Sequence, residues 1–431
     1  MGILIQNGHV INPATGTDEI LDVRVEDGNV KEMGLSVQIQ GGDECIDASG
    51  CYVFPGFIDL HVHLRDPGQT KKEDIGTGSA AAARGGYTTI VAMPNTSPVV
   101  DNPEVVRYVH DKAKEVGLVN VLQTGAITTG MAGKELSDLS GMIEAGICAI
   151  SEDGKSVMNS NLYREAMKIA AAAGIPVLAH CEDINLVNGG VINMGSKSEE
   201  LGVPGISNAV ENIIAARDIM LAEETGARLH LCHCSTRESV ELIRDAKAKG
   251  IAVSGEVCPH HFTLTDADIV AGDSNYKMNP PLRAKADVEA LKDGLKSGIM
   301  EAISTDHAPH TKEEKERDLK AAPFGIVGME TAAALAYTEL VLGGYLTPMQ
   351  MAEKMSFNPS KILGIDKGDI SPGHAADLVI FDPQAEYEIH GADFAGKSKN
   401  MPYEGRKVTG KVKLTICGGK ITYRDEKITE R

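Results

Sequence analysis

The chain has 431 residues, 42% hydrophobic and 24% charged, a make-up that excludes a disordered chain, a collagen-like fibre and a small disulfide scaffold. Its 42 Lys and Arg against 61 Asp and Glu leave a formal net charge of −19. That sign repels phosphate backbones and anionic lipid, so neither nucleic acid nor a membrane is expected as a partner.

In chain order, the opening MGILIQNGHVINP lacks the basic segment and long apolar run of a signal peptide. Eight cysteines are no disulfide density at this length, and no run long enough to span a bilayer occurs, so a reduced, cytoplasmic protein is expected. Residues 22–33 alternate around Asp27-Gly28, a hairpin signal. From residue 57 the rhythm changes to eight short β-like runs, at 57–64, 89–93, 119–127, 147–151, 176–180, 229–233, 252–257 and 300–305. Helical segments at 73–84, 103–116, 162–173, 210–224, 235–249 and 287–296 fall between them. Ala-rich stretches such as AAAARGG and AAAAGIP suit helices that stop at glycine. Strand–helix repetition calls for parallel strands, and eight repeats permit a closed barrel. An open doubly wound sheet has the same local signal, although no G-x-G-x-x-G or Walker loop supports one that binds nucleotides. Toward the end, 373–383 reads as a strand and 412–423 alternates around Gly418-Gly419. The fold class expected is therefore α/β: a (β/α)8 TIM-like barrel over 55–365, with a small β-sandwich domain formed by both chain ends, 1–54 and 366–431. Two separate hairpin appendages are the alternative reading of the ends.

The sharpest chemical signal is His61-Val62-His63. In a strand, residues i and i+2 share a face, so two imidazoles converge, with Asp59 one step back on that face. Other runs lead into Asp153, His180, His233 and Asp306. In a barrel all those ends face one mouth, and four His with two Asp form a donor set for two borderline divalent ions, most simply zinc. Strand alternation turns Cys232, Cys234 and His230 away from His233, toward the helices, and Cys181 reads likewise as packing. His260-His261 follow the seventh run and are expected to support the site rather than hold metal. His310, beyond Pro309, is better set for a substrate contact than His307. The charged run 312–320 reads as a solvated helix face or as a flap over the site.

These motifs carry a resemblance. PGFIDLHVHLRDPG resembles the signature of the amidohydrolase superfamily. With TIVAMPNT, ISEDG, VLAHCED, LCHCST, MNPPLR and STDHAPH in order, the chain looks like the bacterial class I dihydroorotases over nearly its whole length, and SPGHAADLVIFDP resembles the superfamily's composite β domain. The resemblance implies two Zn2+ per subunit: His61, His63 and Asp306 on one, His180 and His233 on the other. Asp153 bridges where many relatives use a carboxylated lysine, with Lys155 as the alternative bridge. It further implies Asp306 as general acid/base, and substrate contacts from His63, Arg65, Asn95, Asn279, His310 and the backbone at Phe324-Gly325. The implied reaction is the reversible cyclisation of N-carbamoyl-L-aspartate to L-dihydroorotate in pyrimidine biosynthesis. A hydantoinase or allantoinase, and a metal-free assembly subunit, are the alternatives. Arg65 and Asn95 favour the first reading, and a full donor set speaks against the last. A homodimer is expected by resemblance, and association with other pyrimidine-pathway enzymes stays open.

Overall fold

The computed structural model describes residues 2–429. The chain opens with β1 (Ile3–Asn12), β2 (Thr17–Glu26), β3 (Asn29–Gly34), β4 (Glu44–Asp47) and β5 (Tyr52–Pro55). Asp27 and Gly28, between β2 and β3, both have positive φ (50° and 82°), the backbone a tight hairpin needs to match strand twist. The middle of the chain supplies β6 (Phe57–Val62), β7 (Tyr87–Ala92), β8 (Asn120–Ala126), β9 (Ala149–Ser151) and β10 (Val177–Ala179). A short outlying pair follows, β11 (Ile192–Asn193) with β12 (Gly205–Ile206), then β13 (Leu229–Leu231), β14 (Val253–Val257) and β15 (Ala302–Ile303). The last strands are β16 (Leu378–Glu388), β17 (Lys407–Cys417), β18 (Lys420–Arg424) and β19 (Lys427–Ile428).

The eight strands β6–β10 and β13–β15 pair in chain order, all parallel. A parallel bridge between Val62 and His307 joins the first strand to the segment after the last, and the His63 N–H donates to the His307 carbonyl at 2.9 Å. That contact closes the ring and decides for a barrel over an open sheet. Strands buried on both faces read as continuous apolar runs, as β7 does with every residue buried. Two of the surrounding helices start two residues later than expected, at Ile75 and Arg237, because the capping residue stays outside the helix, whereas the one expected from 162 starts two residues earlier, at Ser160. Asp74 caps Ile75–Arg84 in a capping box with Thr77, Asn159 caps Ser160–Ala173, and Thr236 caps Arg237–Ala248. Among the described residues, no helix is long and apolar enough to cross a membrane.

Both chain ends enter one nine-stranded sheet, ordered β19-β18-β17-β16-β5-β1-β2-β3, with β4 also on β1. The ends meet where β5 runs antiparallel to β16, Val53 opposite Ile380. They share one apolar core that includes Ile5, Val10, Val23, Val53, Leu378, Ile380 and Ile416. A run of aromatic rings, Tyr87, Phe57, Phe54, Phe381, Tyr337 and Tyr52, joins this sheet to the barrel with centroids 5.3 to 6.4 Å apart.

Inside the barrel, Ile58, Leu60, Val91, Met93, Ala149, Leu178, Cys232 and Ala302 pack into a cluster with Leu363. This corrects the sequence reading of Cys232 and His230. Both point into the barrel, not toward the helices, and His230 meets Glu256 of β14 there at 3.0 Å. The reason is local: β13 ends at Leu231, and His233 takes a left-handed φ of 36°, which resets the alternation. His233 thus reaches the mouth although the residues before it line the interior. Cys181 and Cys234 do lie in the outer core between barrel and helices.

Candidate metal centre

The C-terminal ends of the barrel strands gather His61, His63, Asp153, His180, His233 and Asp306, all buried. Asp153 is at the middle: Oδ1 is 3.1 Å from His61 Nε2, 3.5 Å from His180 Nδ1 and 3.7 Å from His233 Nε2, and Oδ2 is 3.4 Å from His63 Nε2. Asp306 Oδ1 lies 3.0 Å from His63 Nε2 and 3.4 Å from His61 Nε2. His180 Nδ1 and His233 Nε2 approach to 2.8 Å. The groups His61/His63/Asp153, His61/His233/Asp306 and Asp153/His180/His233 each bring their donor atoms within 4.8 Å of one another. Lys155 is not among them; its Nζ donates to the Met131 carbonyl at 3.0 Å, away from the cluster.

These residues fit divalent metal. Imidazole with carboxylate is the donor mixture such ions as zinc take, and His61 Nε2 is buried without a hydrogen-bond partner. Burial alone would lower the His61 imidazole, but Asp153 and Asp306 outweigh it and hold it well above its usual value. His180 is raised to about 10, Asp153 and Glu182 prevailing over burial. Against the same burial, His61 leads in holding Asp153 well below the carboxylate range, and His61 with His63 keeps Asp306 down at about 2. Two ionised carboxylates among four imidazoles make a pocket where cations compete with protons for the same lone pairs.

Beside the cluster, Arg65 is buried with its Nε donating to the Pro309 carbonyl at 3.2 Å and its guanidinium 3.5 Å from His310 Nε2. Burial lowers its pKa to about 10 against the pull of Asp306 and Asp153, so it stays charged at neutral pH. Burial, then Arg65 and Lys72, depress His310 to about 3. The neutral ring donates from Nε2 to the Phe324 carbonyl at 2.8 Å, since a carbonyl only accepts. Asn95 joins the site through its Oδ1, 2.9 Å from His63 Nδ1, and its Nδ2, 3.3 Å from Asp153 Oδ2. Asn279 reaches it through Glu182, donating to Oε1 at 2.7 Å while Oε2 lies 3.4 Å from His180 Nε2. Asp59 accepts from the N–H (3.0 Å) and hydroxyl (2.6 Å) of Thr305 and from the backbone N–H of His61 (3.2 Å), so it supports both the residue before Asp306 and the backbone of His61. His261 donates from Nε2 to the Pro280 carbonyl at 2.9 Å, and His260 lies against it, rings 4.3 Å apart.

Sequence reasoning missed Glu182, Glu256 and Lys315. An acid within VSGEV, a strand with no exposed residue, was a signal for Glu256, because packing alone gives no reason for it. The charged run is no uniform solvated face: only Lys312–Lys315 is helical, and Lys315 turns inward to donate to the carbonyls of Pro323 (3.1 Å) and Gly325 (3.0 Å).

A closed barrel with donors at its C-terminal mouth and a sheet woven from both ends is the build of the cyclic amidohydrolases. A D-hydantoinase superimposes with a TM-score of 0.87 at 27% identity, covering 100% of this chain and 96% of its own. The dihydropyrimidinase of Brevibacillus agri gives 0.87 at 26%, covering 99% and 96%. A family model described as dihydro-orotase-like matches residues 50–239. Curated relatives named dihydroorotase include that of Pelotomaculum thermopropionicum, 48% identical over 99% of this chain and 100% of the relative, and that of Geobacter metallireducens, 49% over 98% and 100%. The chain belongs to the dihydroorotase family.

Proposed function

We propose that the chain catalyses the reversible closure of N-carbamoyl-L-aspartate to L-dihydroorotate, with two divalent ions, most simply zinc. In this reading His61, His63 and Asp306 would hold one ion, His180 and His233 the other, and Asp153 would be shared between them. The reach of Asp153 to all four imidazoles, 3.1 to 3.7 Å, supports that assignment. Divalent ions bound there polarise a carbonyl and make water acidic near neutral pH.

The chain's own groups do the rest. Arg65 pairs with the ring carboxylate through its planar fork, with His310, Asn95 and Asn279 around the ring and the backbone at Phe324-Gly325 against its amide. In the hydrolytic direction, ionised Asp306 takes the proton of the attacking water and hands it to the departing ring nitrogen. In the biosynthetic direction it takes the proton of the ureido nitrogen as that atom attacks the carboxyl group, and water leaves. One carboxylate serves both steps because they are sequential. Closure consumes a proton, so lower pH favours the ring.

The observation that carries this reading is Arg65, a buried cation beside the donor cluster. Dihydroorotate bears a carboxylate for it, whereas hydantoin and allantoin bear none. The test is to measure zinc content and follow hydrolysis of dihydroorotate, hydantoin and allantoin with and without chelator. Chelator-sensitive turnover of dihydroorotate above the other two is expected; preference for either of those would refute the assignment. A cytoplasmic, homodimeric enzyme is part of the same proposal. Eight cysteines, all free, support the reducing compartment, and the mass in solution tests the dimer.

A further inference from the structure

Glu256 is a fully buried acid in the barrel interior, and nothing in the proposed reaction uses it. Its Oε1 makes two contacts at once: 3.1 Å to His61 Nδ1 and 3.1 Å to the backbone N–H of His233. Its Oε2 lies 3.0 Å from His230 Nε2, and His230 Nδ1 lies 2.8 Å from Ser254 Oγ. His61 lies in β6 and His233 just after β13, two strands that are not neighbours around the ring. In the proposed assignment they also belong to different ions.

We propose that Glu256 is the positioning residue that locks the two halves of the donor set against each other, with His230 as its anchor. A carboxylate facing His61 accepts a hydrogen bond from its Nδ1–H, which keeps the proton on Nδ1 and leaves the Nε2 lone pair free toward Asp153 and Asp306, the atom that has no hydrogen-bond partner of its own. The same oxygen receives the N–H of His233, whose left-handed φ of 36° is one an L residue seldom adopts without support. That bond holds the turn from which His233 meets His180. Loss of Glu256 therefore loosens one ligand in each half, so both ions weaken together. Removal of a group that touches one half alone would weaken one ion.

The inference rests on the reading that this cluster holds two ions, and the experiment separates the two. Apoprotein of the wild type and of Glu256→Ala is titrated with Zn2+ against a chelating dye, folding being checked by circular dichroism. Wild type is expected to bind two ions, and the folded variant to lose at least about tenfold in affinity for both. A folded variant that keeps wild-type affinity for either ion overturns the proposal. Long-range nitrogen-15 NMR of histidine-labelled, zinc-loaded wild type needs no variant and decides the matter if Glu256→Ala does not fold. His61 is expected to carry its proton on Nδ1, and a proton on Nε2 overturns the role. Wild type that binds no zinc would sink the underlying metal reading instead.

Discussion

Arg65, His233 and Asp306 all have left-handed backbones, with φ of 58°, 36° and 46°. Non-glycine residues in that region cost about 1–3 kcal/mol each and persist where the surroundings over-determine them; here each aims a side chain at one pocket. Asp306→Asn keeps an oxygen donor but cannot take a proton, so kcat should fall about 10²–10⁴-fold while zinc content, read by atomic emission, stays near wild type. Arg65→Lys keeps the charge and loses the two-pronged geometry. It should raise KM for dihydroorotate about 10- to 100-fold with kcat little changed, and an unaltered KM would remove Arg65 from the substrate. At this scale much of the site was legible, because His61 and His63 sit two apart in a strand and the other donors end strands that a barrel brings together. Parity failed at His230 and Cys232, since a single left-handed residue after β13 reverses which side faces in. Glu256 and Glu182 escaped for another reason: residues that hold other side chains in place leave no spacing pattern.

Among the elements, the segment that follows β15 carries His310 and Phe324-Gly325, three of the residues expected around the substrate ring. Gly325 there has φ of 150°, and an added Cβ would lie 2.6 Å from the Ala308 carbonyl oxygen and 2.8 Å from His310 Cδ2. Gly325→Ala must therefore push His310 or the backbone aside. It should raise KM about tenfold or more, because a misplacement of the order of 1 Å suffices for such losses, and zinc binding should not change. Steady-state kinetics beside a metal titration checks both halves of that expectation. The repeating strands and helices were readable from apolar runs, capping residues and terminal glycines. Of the four two-residue strands described, β15 fell within an expected run, but β11, β12 and β19 are too short to show any period. The helix Met329–Ala336 was missed because it is buried nearly all round and has no polar stripe to reveal it.

For the molecule as a whole, the decisive joint is between the sheet and the barrel. Phe54 is fully buried, its ring 5.9 Å from Phe57 on the barrel side and 6.0 Å from Phe381 on the sheet side. Phe54→Ala should cost about 3–5 kcal/mol, measured as a shift in the urea unfolding midpoint, with KM unaltered because the joint lies away from the mouth. A large change in KM would mean that the sheet shapes the site. The pairing of the two ends was foreseen from β-rich termini around a different middle, but which strands meet was not, as no turn signal links β5 to β16.

That pairing bears on how the chain is made. On the ribosome, β5 emerges long before its neighbour β16 exists, so throughout synthesis its edge stays open while the barrel forms behind it. An open edge is a template for joining another chain. Translation that halts before residue 378 would release a finished barrel with half a sheet, a product prone to clump and recognisable to quality-control proteases by the edge that β16 would have covered.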